Sequence, residues 1–265
     1  MADAALDRSA VAREAFEAWS GSGSLVRRPF GEGGFGSAVR IGAPLETKRE
    51  ALPLPLPLAS VLPEEGFPRG GVVELTSPAN LGHGLGVALA ACAAAQRASA
   101  LGGDTAWCAF LDPDRTLFGP AVRASGVCLD RLLVARPPRQ LLAKAAVRVA
   151  LSRIFTVVVI DVAPVPGAPA RAGAPHRSES MDAWVKVARR LSLAVERTPT
   201  TVFLLTRSEA ARTAALPVAM RVELESEAPG SLSVRIAKDR FGRVTPSRTI
   251  AWTRPSGAAV AAASG

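Results

Sequence analysis

The sequence predicts an α/β protein built on a mostly parallel, twisted sheet with helices on both faces. From residue 71 onwards, short apolar strands alternate with helices, which is the pattern of parallel strands joined by crossover helices. The run at residues 156–160 is β-branched throughout, as in a strand buried on both faces. The 265 residues, 48% of them hydrophobic, are enough to enclose one large core.

The N-terminal part of the chain does not follow this alternation. A helix is predicted at residues 8–19, because Val11, Phe16 and Trp19 fall on one of its faces. The stretch 30–36 that follows is rich in glycine and a poor helix former. An amphipathic helix on such an arm can dock on a neighbouring molecule or fold back on its own core.

The Pro-Leu alternation at residues 52–58 is interpreted as linker or loosely held edge. Beyond residue 252 the chain consists mainly of Pro, Gly, Ala and Ser, which is typical of a frayed tail. The sequence therefore predicts an N-terminal helix and linker arm over residues 1–62, a core over 63–252, and a disordered tail over 253–265.

The elements of the core follow from local periodicity and from Gly and Pro breaks. Strands are expected at residues 72–75, 107–111, 132–135, 156–160 and 201–205. Helices are expected at residues 84–98, 117–125, 139–152 and around Trp184. Two later strands, at residues 219–224 and 232–237, are predicted to be antiparallel additions to the sheet.

Charge and cysteine content limit the partners and the compartment. The net charge of +9, carried almost wholly by arginine, favours polyanion partners such as DNA or reflects a composition bias. Cys92, Cys108 and Cys128 form no CxxC pair, so we expect buried free thiols in a reducing cytosol. There is no apolar leader at the N-terminus and no run of about 18 apolar residues. A cytoplasmic protein without a metal or cofactor is predicted.

The turn after the first core strand occupies the place of a phosphate-binding loop. The working loop reads G-x-x-x-x-G-K-[ST]. Its eight positions here run from Ser77 to Gly84, and only Gly82 keeps its glycine. Ser77 replaces the glycine of the tight turn, His83 replaces the phosphate-binding lysine, and Gly84 lacks the hydroxyl that holds Mg²⁺. A degenerate loop without ATP hydrolysis is predicted.

An ordered set of segments resembles the ATPase core of bacterial RecA. The run P-E-E-G-F-P-R-G-G-V-V-E-L at residues 63–75 is similar to the entry to that family's loop. Further along, C-A-F-L-D, L-L-V-A-R-P, V-V-V-I-D and V-R-I-A-K-D-R resemble later strands of the family, in the same order. The resemblance covers roughly residues 6–252 and implies a RecA-like core.

The departures from RecA bear on catalysis and on DNA contact. By the resemblance, Asp114 stands in place of the glutamate that activates water, Asp161 keeps the Walker B position, and Thr206 replaces the glutamine that senses the γ-phosphate. Solubility at strand ends is the alternative for both aspartates. The two DNA-binding loops of RecA correspond to residues 165–178 and to a short stretch after Thr206. Their candidate phosphate contacts, which are otherwise solvated loop charges, are Arg171, Arg177, Arg207 and Arg212.

A RecA-like core without these parts resembles the ImuA group of accessory proteins in damage-induced mutagenesis. The resemblance implies SOS-induced translesion synthesis, association with the nucleoid on DNA damage, and contact with RecA. It also implies contact with an ImuB-type polymerase-like scaffold and, indirectly, with an error-prone DnaE-type polymerase. A SulA-type cell-division inhibitor that binds FtsZ, an ATPase with an unconventional loop, and a single-stranded-DNA-binding regulator of RecA filaments stay open.

The partner-binding residues follow from RecA assembly, in which a helix and arm pack on the next core. By this resemblance, the N-terminal candidates for contact with RecA are Val11, Phe16, Trp19 and Phe30. Lys238 and Arg240 match basic residues that reach across the same junction, although an exposed strand end is the simpler interpretation. No catalytic residue is predicted.

Overall fold

A computed structural model describes residues 51–78, 82–101, 106–162, 181–208, 215–226 and 228–252. Within these ranges the chain is an α/β protein, as predicted. Its strands are β1 (Ala51–Pro53), β2 (Gly66–Pro68), β3 (Gly71–Ser77), β4 (Trp107–Leu111), β5 (Leu132–Ala135), β6 (Phe155–Asp161), β7 (Thr201–Arg207), β8 (Met220–Glu225), β9 (Ser231–Asp239) and β10 (Arg248–Ala251). Its helices are α1 (His83–Leu101), α2 (Gly119–Ala124), α3 (Arg139–Leu151) and α4 (Met181–Val195).

Eight strands form one mixed sheet in the order β10-β9-β8-β3-β7-β6-β4-β5. The six strands from β3 to β8 are parallel, while β9 is antiparallel to β8 and β10 is antiparallel to β9. The prediction that residues 219–224 form an antiparallel strand is therefore wrong. The chain returns to the amino edge of the sheet before β8 begins, so that Met220 pairs with Val73 in parallel register.

The core has two apolar layers, one on each face of the sheet. On the first face α1 packs against alternate strand residues such as Val73, Phe110 and Val159. On the second face α3 and α4 cover the intervening residues, including Ile160 and Leu204. The helices on both faces confirm the predicted arrangement, and they bury the central parallel strands on both sides.

Residues 51–68 are part of the core rather than a loosely held edge. Leu52 and Leu58 are 0% and 1% exposed, and β1 pairs with β2 in a separate antiparallel sheet. The ring of Phe67 packs edge-on against Phe203 of β7, with 4.9 Å between ring centroids. Leu52 and Leu58 are buried together with Phe67, whereas Leu56 is exposed, and this corrects the linker interpretation of residues 52–58. The predicted helix and tail lie outside the described residues, so the predicted domain limits stay a prediction.

The thiols differ in their surroundings. Cys92 and Cys108 are buried, as expected, and Cys128 is exposed at the surface, which corrects that prediction. Cys108 Sγ lies 3.9 Å from the carbonyl oxygen of Cys92. The hydrogen bond from Cys108 and burial raise the pKa of the Cys92 thiol well above its ordinary value. Cys92 therefore stays a neutral part of the core at physiological pH.

Candidate functional site

The carboxyl ends of the parallel strands form one edge of the sheet, which we call the carboxyl edge. In open α/β sheets, ligands bind at this edge. Ser77 ends β3 with Arg207 of β7 as its register partner, and Asp161 ends β6 beside Leu205. His83 begins α1 at the same edge. The fold thus brings the residues expected at a nucleotide site to one edge of the sheet.

The structure describes the β3–α1 loop only at its two ends, Pro78 and Gly82. Gly82 has a positive φ of 60°, and its carbonyl accepts the first helical hydrogen bond from Gly86 at 3.1 Å. His83 is only 7% exposed, so its ring packs within the protein. A Cβ on Gly84 would lie 3.6 Å from the Leu75 carbonyl oxygen, an ordinary contact. Since residues 79–81 lie outside the described ranges, the degenerate loop stays a prediction.

Asp112, directly after β4, is a structural carboxylate. It is 0% exposed. Its oxygens accept hydrogen bonds from the backbone N–H groups of Thr116 and Leu117, at 2.8 and 3.1 Å, and Arg136 Nε lies 3.6 Å away. This carboxylate fixes the turn between β4 and α2, because its oxygens are occupied by backbone donors.

Asp114, the candidate for the water-activating acid, is paired with an arginine. Arg139, the first residue of α3, donates from Nε to Asp114 Oδ1 at 2.8 Å, and its terminal nitrogen contacts Oδ2. Bidentate pairing of this kind occupies both carboxylate oxygens. Arg139 also donates to the Val162 carbonyl. The pair therefore ties the β4–α2 loop to α3 and to the end of β6.

Thr206 belongs to a polar network on the second face of the sheet. Its hydroxyl donates to Glu74 Oε1 at 2.8 Å, and Glu74 is 1% exposed in the central strand β3. Arg221 Nε lies 3.9 Å from Glu74 Oε2, and a terminal nitrogen of Arg221 lies 3.2 Å from Glu223. Thr206 is therefore engaged with protein groups across three neighbouring strands.

Sequence reasoning missed the partners in these two clusters. Arginine at a helix N-terminus is disfavoured by the helix dipole, so Arg139 at the start of α3 was a signal that an acidic partner lies nearby. Glu74 was a second signal, because it stands in an otherwise apolar strand, where a charge needs pairing. The sequence shows both signals, but it does not show that Asp114 is the partner of Arg139 or that Thr206 is the partner of Glu74.

The remaining candidates separate into three groups. Arg207 is half-buried at the carboxyl edge. Lys238 and Arg240 lie at the opposite, amino edge, where the Lys238 ammonium donates to the Leu216 carbonyl at 2.9 Å. The other candidates fall outside the described residues: Val11, Phe16, Trp19, Phe30, Arg171, Arg177 and Arg212.

No protein-family model matches the chain, and no curated protein sequence is significantly similar to it. In the described part of the chain, no group of three or more His, Cys, Asp or Glu residues could hold a metal ion. Helix α1 is the one described helix that is long and apolar enough to span a membrane. Of its most apolar 18-residue segment, 56% is buried inside the protein, as in a core helix.

Proposed function

We propose that this chain is a non-catalytic, RecA-like adaptor in SOS-induced translesion synthesis. It would bind RecA and an ImuB-type polymerase-like scaffold, and through them act with an error-prone DnaE-type polymerase in the cytoplasm and on the nucleoid. The segments that resemble RecA support the proposal because they fall on strands in chain order. The run at residues 63–75 covers β2 and most of β3, and C-A-F-L-D covers most of β4 and the residue after it. L-L-V-A-R-P begins with β5, V-V-V-I-D ends β6, and V-R-I-A-K-D-R covers the last part of β9 and the residue after it.

The observation that carries the non-catalytic part is the Asp114–Arg139 pair. ATP hydrolysis needs a group that orients the attacking water, and a carboxylate held through both oxygens by arginine serves that role poorly. The replacement of lysine by His83 and of the magnesium-binding hydroxyl by Gly84 acts in the same direction. Because Asp114 and Arg139 bind each other, they stabilise the fold at the carboxyl edge, which supports an adaptor that does not hydrolyse nucleotide there.

The position of the basic candidates supports a head-to-tail contact. Ser77 and His83 lie at the carboxyl edge, whereas Lys238 and Arg240 lie at the amino edge. A heterologous interface joins two different surfaces, so the two halves must lie on different sides of the molecule. A chain that joins RecA through one side, with a second side unable to cycle ATP, would cap a filament.

The direct test is binding of the full chain to RecA by biolayer interferometry. Trp19→Ala should weaken binding by about tenfold or more, because buried aromatic anchors dominate interface energies. Phe118→Ala is the matched control, since it removes an aromatic side chain that is 67% exposed at the start of α2. Unchanged affinity of the Trp19 variant would contradict docking through the N-terminal helix. No binding of the wild type, with or without ATP and single-stranded DNA, would remove RecA as a direct partner.

A further inference from the structure

The turn between β9 and β10 presents an exposed aromatic ring held by two arginines. Phe241 is 57% exposed. The guanidinium carbons of Arg240 and Arg243 each lie 4.9 Å from the centroid of its ring, in cation–π contact. The turn lies at the amino edge of the sheet, away from the carboxyl edge where a nucleotide would bind. It is therefore a separate surface, which we call the β9–β10 turn (residues 238–243).

This turn is fixed by its own hydrogen bonds. Asp239 Oδ2 accepts from the backbone N–H groups of Phe241 and Arg243, at 3.0 and 3.3 Å, and from Arg243 Nε at 2.9 Å. Gly242 takes a positive φ of 76°, which favours glycine, and its N–H donates to the Asp239 carbonyl. The N–H of Arg240 donates to the carbonyl of Ala219, next to β8. A ligand would thus meet a preformed surface and lose little free energy in ordering it.

The charge of the turn favours an anionic partner. It carries three basic residues, Lys238, Arg240 and Arg243, and a single acidic one, Asp239. Glu64 pairs with Arg243 at 2.8 Å, and the turn stays positive with Glu64 included. The whole chain carries +9, so the long-range field also attracts polyanions.

We propose that the β9–β10 turn is a contact site for single-stranded nucleic acid. Unpaired bases stack on aromatic rings and on guanidinium planes, and at this turn the guanidinium groups of Arg240 and Arg243 lie over the Phe241 ring. Arg240, which is exposed at this turn, also supplies a phosphate contact. A duplex fits less well, because its bases are already stacked on one another. The turn shares Lys238 and Arg240 with the proposed RecA contact, but the inference uses neither RecA nor residues 1–50. Its test is made without RecA, so its failure and the failure of the proposed function are distinguishable.

The test is fluorescence anisotropy of the full chain with a labelled oligo-dT of about 20 nucleotides, a length that covers at least one site of the usual size. Phe241→Ala should weaken binding by about 5- to 100-fold, the loss expected from removing one stacking platform. The control Phe118→Ala removes a ring elsewhere that is 67% exposed, against 57% for Phe241, and should leave the affinity unchanged. Arg240→Gln should weaken binding and lower the slope of log affinity against log salt by about 0.7, whereas Arg123→Gln on α2 should not.

The variants should keep the far-UV circular dichroism and the melting temperature of the wild type, since Phe241, Arg240 and both control side chains are exposed. Unchanged affinity of Phe241→Ala would overturn the proposal, as would an equal loss in Phe118→Ala. Absence of wild-type binding to oligo-dT would overturn it as well. Unlabelled poly-glutamate serves as a competitor at the same concentration of charged units as unlabelled oligo-dT. If it displaces the labelled oligo-dT equally well, the turn binds acidic protein partners instead, and the proposal is overturned.

Discussion

At the residue scale, Asp239 determines the shape of the β9–β10 turn, and its pKa is lower than that of an ordinary aspartate. Desolvation alone would raise the pKa of this carboxyl group, but hydrogen bonds from the Arg243 guanidinium and from the N–H groups of Arg243 and Phe241 lower the pKa below its ordinary value. The same contact raises the pKa of Arg243. Because the pKa is lower in the folded than in the unfolded chain, the ionised carboxylate stabilises the fold at neutral pH.

Replacement of this carboxylate should therefore destabilise the protein in a pH-dependent way. We expect Asp239→Ala to lower the free energy of unfolding by about 1–2 kcal/mol at pH 7, the range for charge-assisted hydrogen bonds to a half-exposed arginine. The difference from the wild type should be present above about pH 4, the ordinary value for aspartate, and should shrink as the pH falls through the lower folded-state pKa. Urea unfolding at several pH values measures it.

The matched control for this experiment is Asp130→Ala, which removes an exposed carboxylate beside β5. Its free energy of unfolding should stay close to that of the wild type at every pH. A loss in Asp239→Ala of equal size at neutral and at strongly acidic pH would mean that the side chain acts through packing and not through its charge.

At the element scale, α1 shows how an alanine-rich helix suits a sheet surface. Ala88, Ala91 and Ala95 recur at helical spacing and are 0%, 0% and 1% exposed. Small side chains leave no room for additional volume between the helix and the strands, since protein interiors are close-packed. The apolar character of α1 therefore reflects burial against the first face of the sheet.

A larger side chain on this face should be destabilising. We expect Ala91→Leu to lower the free energy of unfolding by about 1–3 kcal/mol, because it forces added methylene groups into a packed core. Ala98→Leu in the same helix is the control, since Ala98 is exposed and leucine has nearly the same helix propensity. The midpoints of urea unfolding compare the two variants. Equal midpoints would contradict close packing of α1 on the sheet.

Among the helices and strands, those with a strong local sequence pattern were predicted, and those that depend on pairing with distant strands were not. The β-branched run of β6 and the alanines of α1 carry strong local signals, and both elements form near the predicted limits. The direction of β8 and the existence of β10 depend on pairing with distant strands, which local periodicity does not encode. Likewise, the burial of Leu52 and Leu58 depends on their place in the core that includes Phe67. The sequence predicted which residues lie at the carboxyl edge. The contacts of Arg139 with Asp114 and of Glu74 with Thr206 join distant parts of the chain, so only the folded structure reveals them.

At the scale of the whole molecule, the two edges of the sheet differ in chemistry. At the carboxyl edge the described acidic groups Asp112 and Asp114 are engaged by backbone N–H groups and by Arg139. At the amino edge, Lys238 and Arg240 belong to a basic turn with an exposed ring. Among the described residues, the engaged carboxylates at the carboxyl edge and the basic turn at the amino edge agree with the proposed adaptor, whereas an ATPase needs a carboxyl edge that is open to nucleotide.

This division predicts that ATP and Mg²⁺ leave the stability of the chain unchanged. A nucleotide that bound the native state with a Kd of about 10 μM would, at about 1 mM, add about 2.7 kcal/mol to the free energy of unfolding. For a core of this size that corresponds to a rise in Tm of roughly 5–10 °C, which differential scanning fluorimetry resolves easily. We expect no shift, because the loop lacks the lysine that holds the phosphates at position 83 and the hydroxyl that holds Mg²⁺ at position 84. A rise of several degrees that requires Mg²⁺ would show that the carboxyl edge still binds nucleotide, and the adaptor would then be regulated by ATP instead of being indifferent to it.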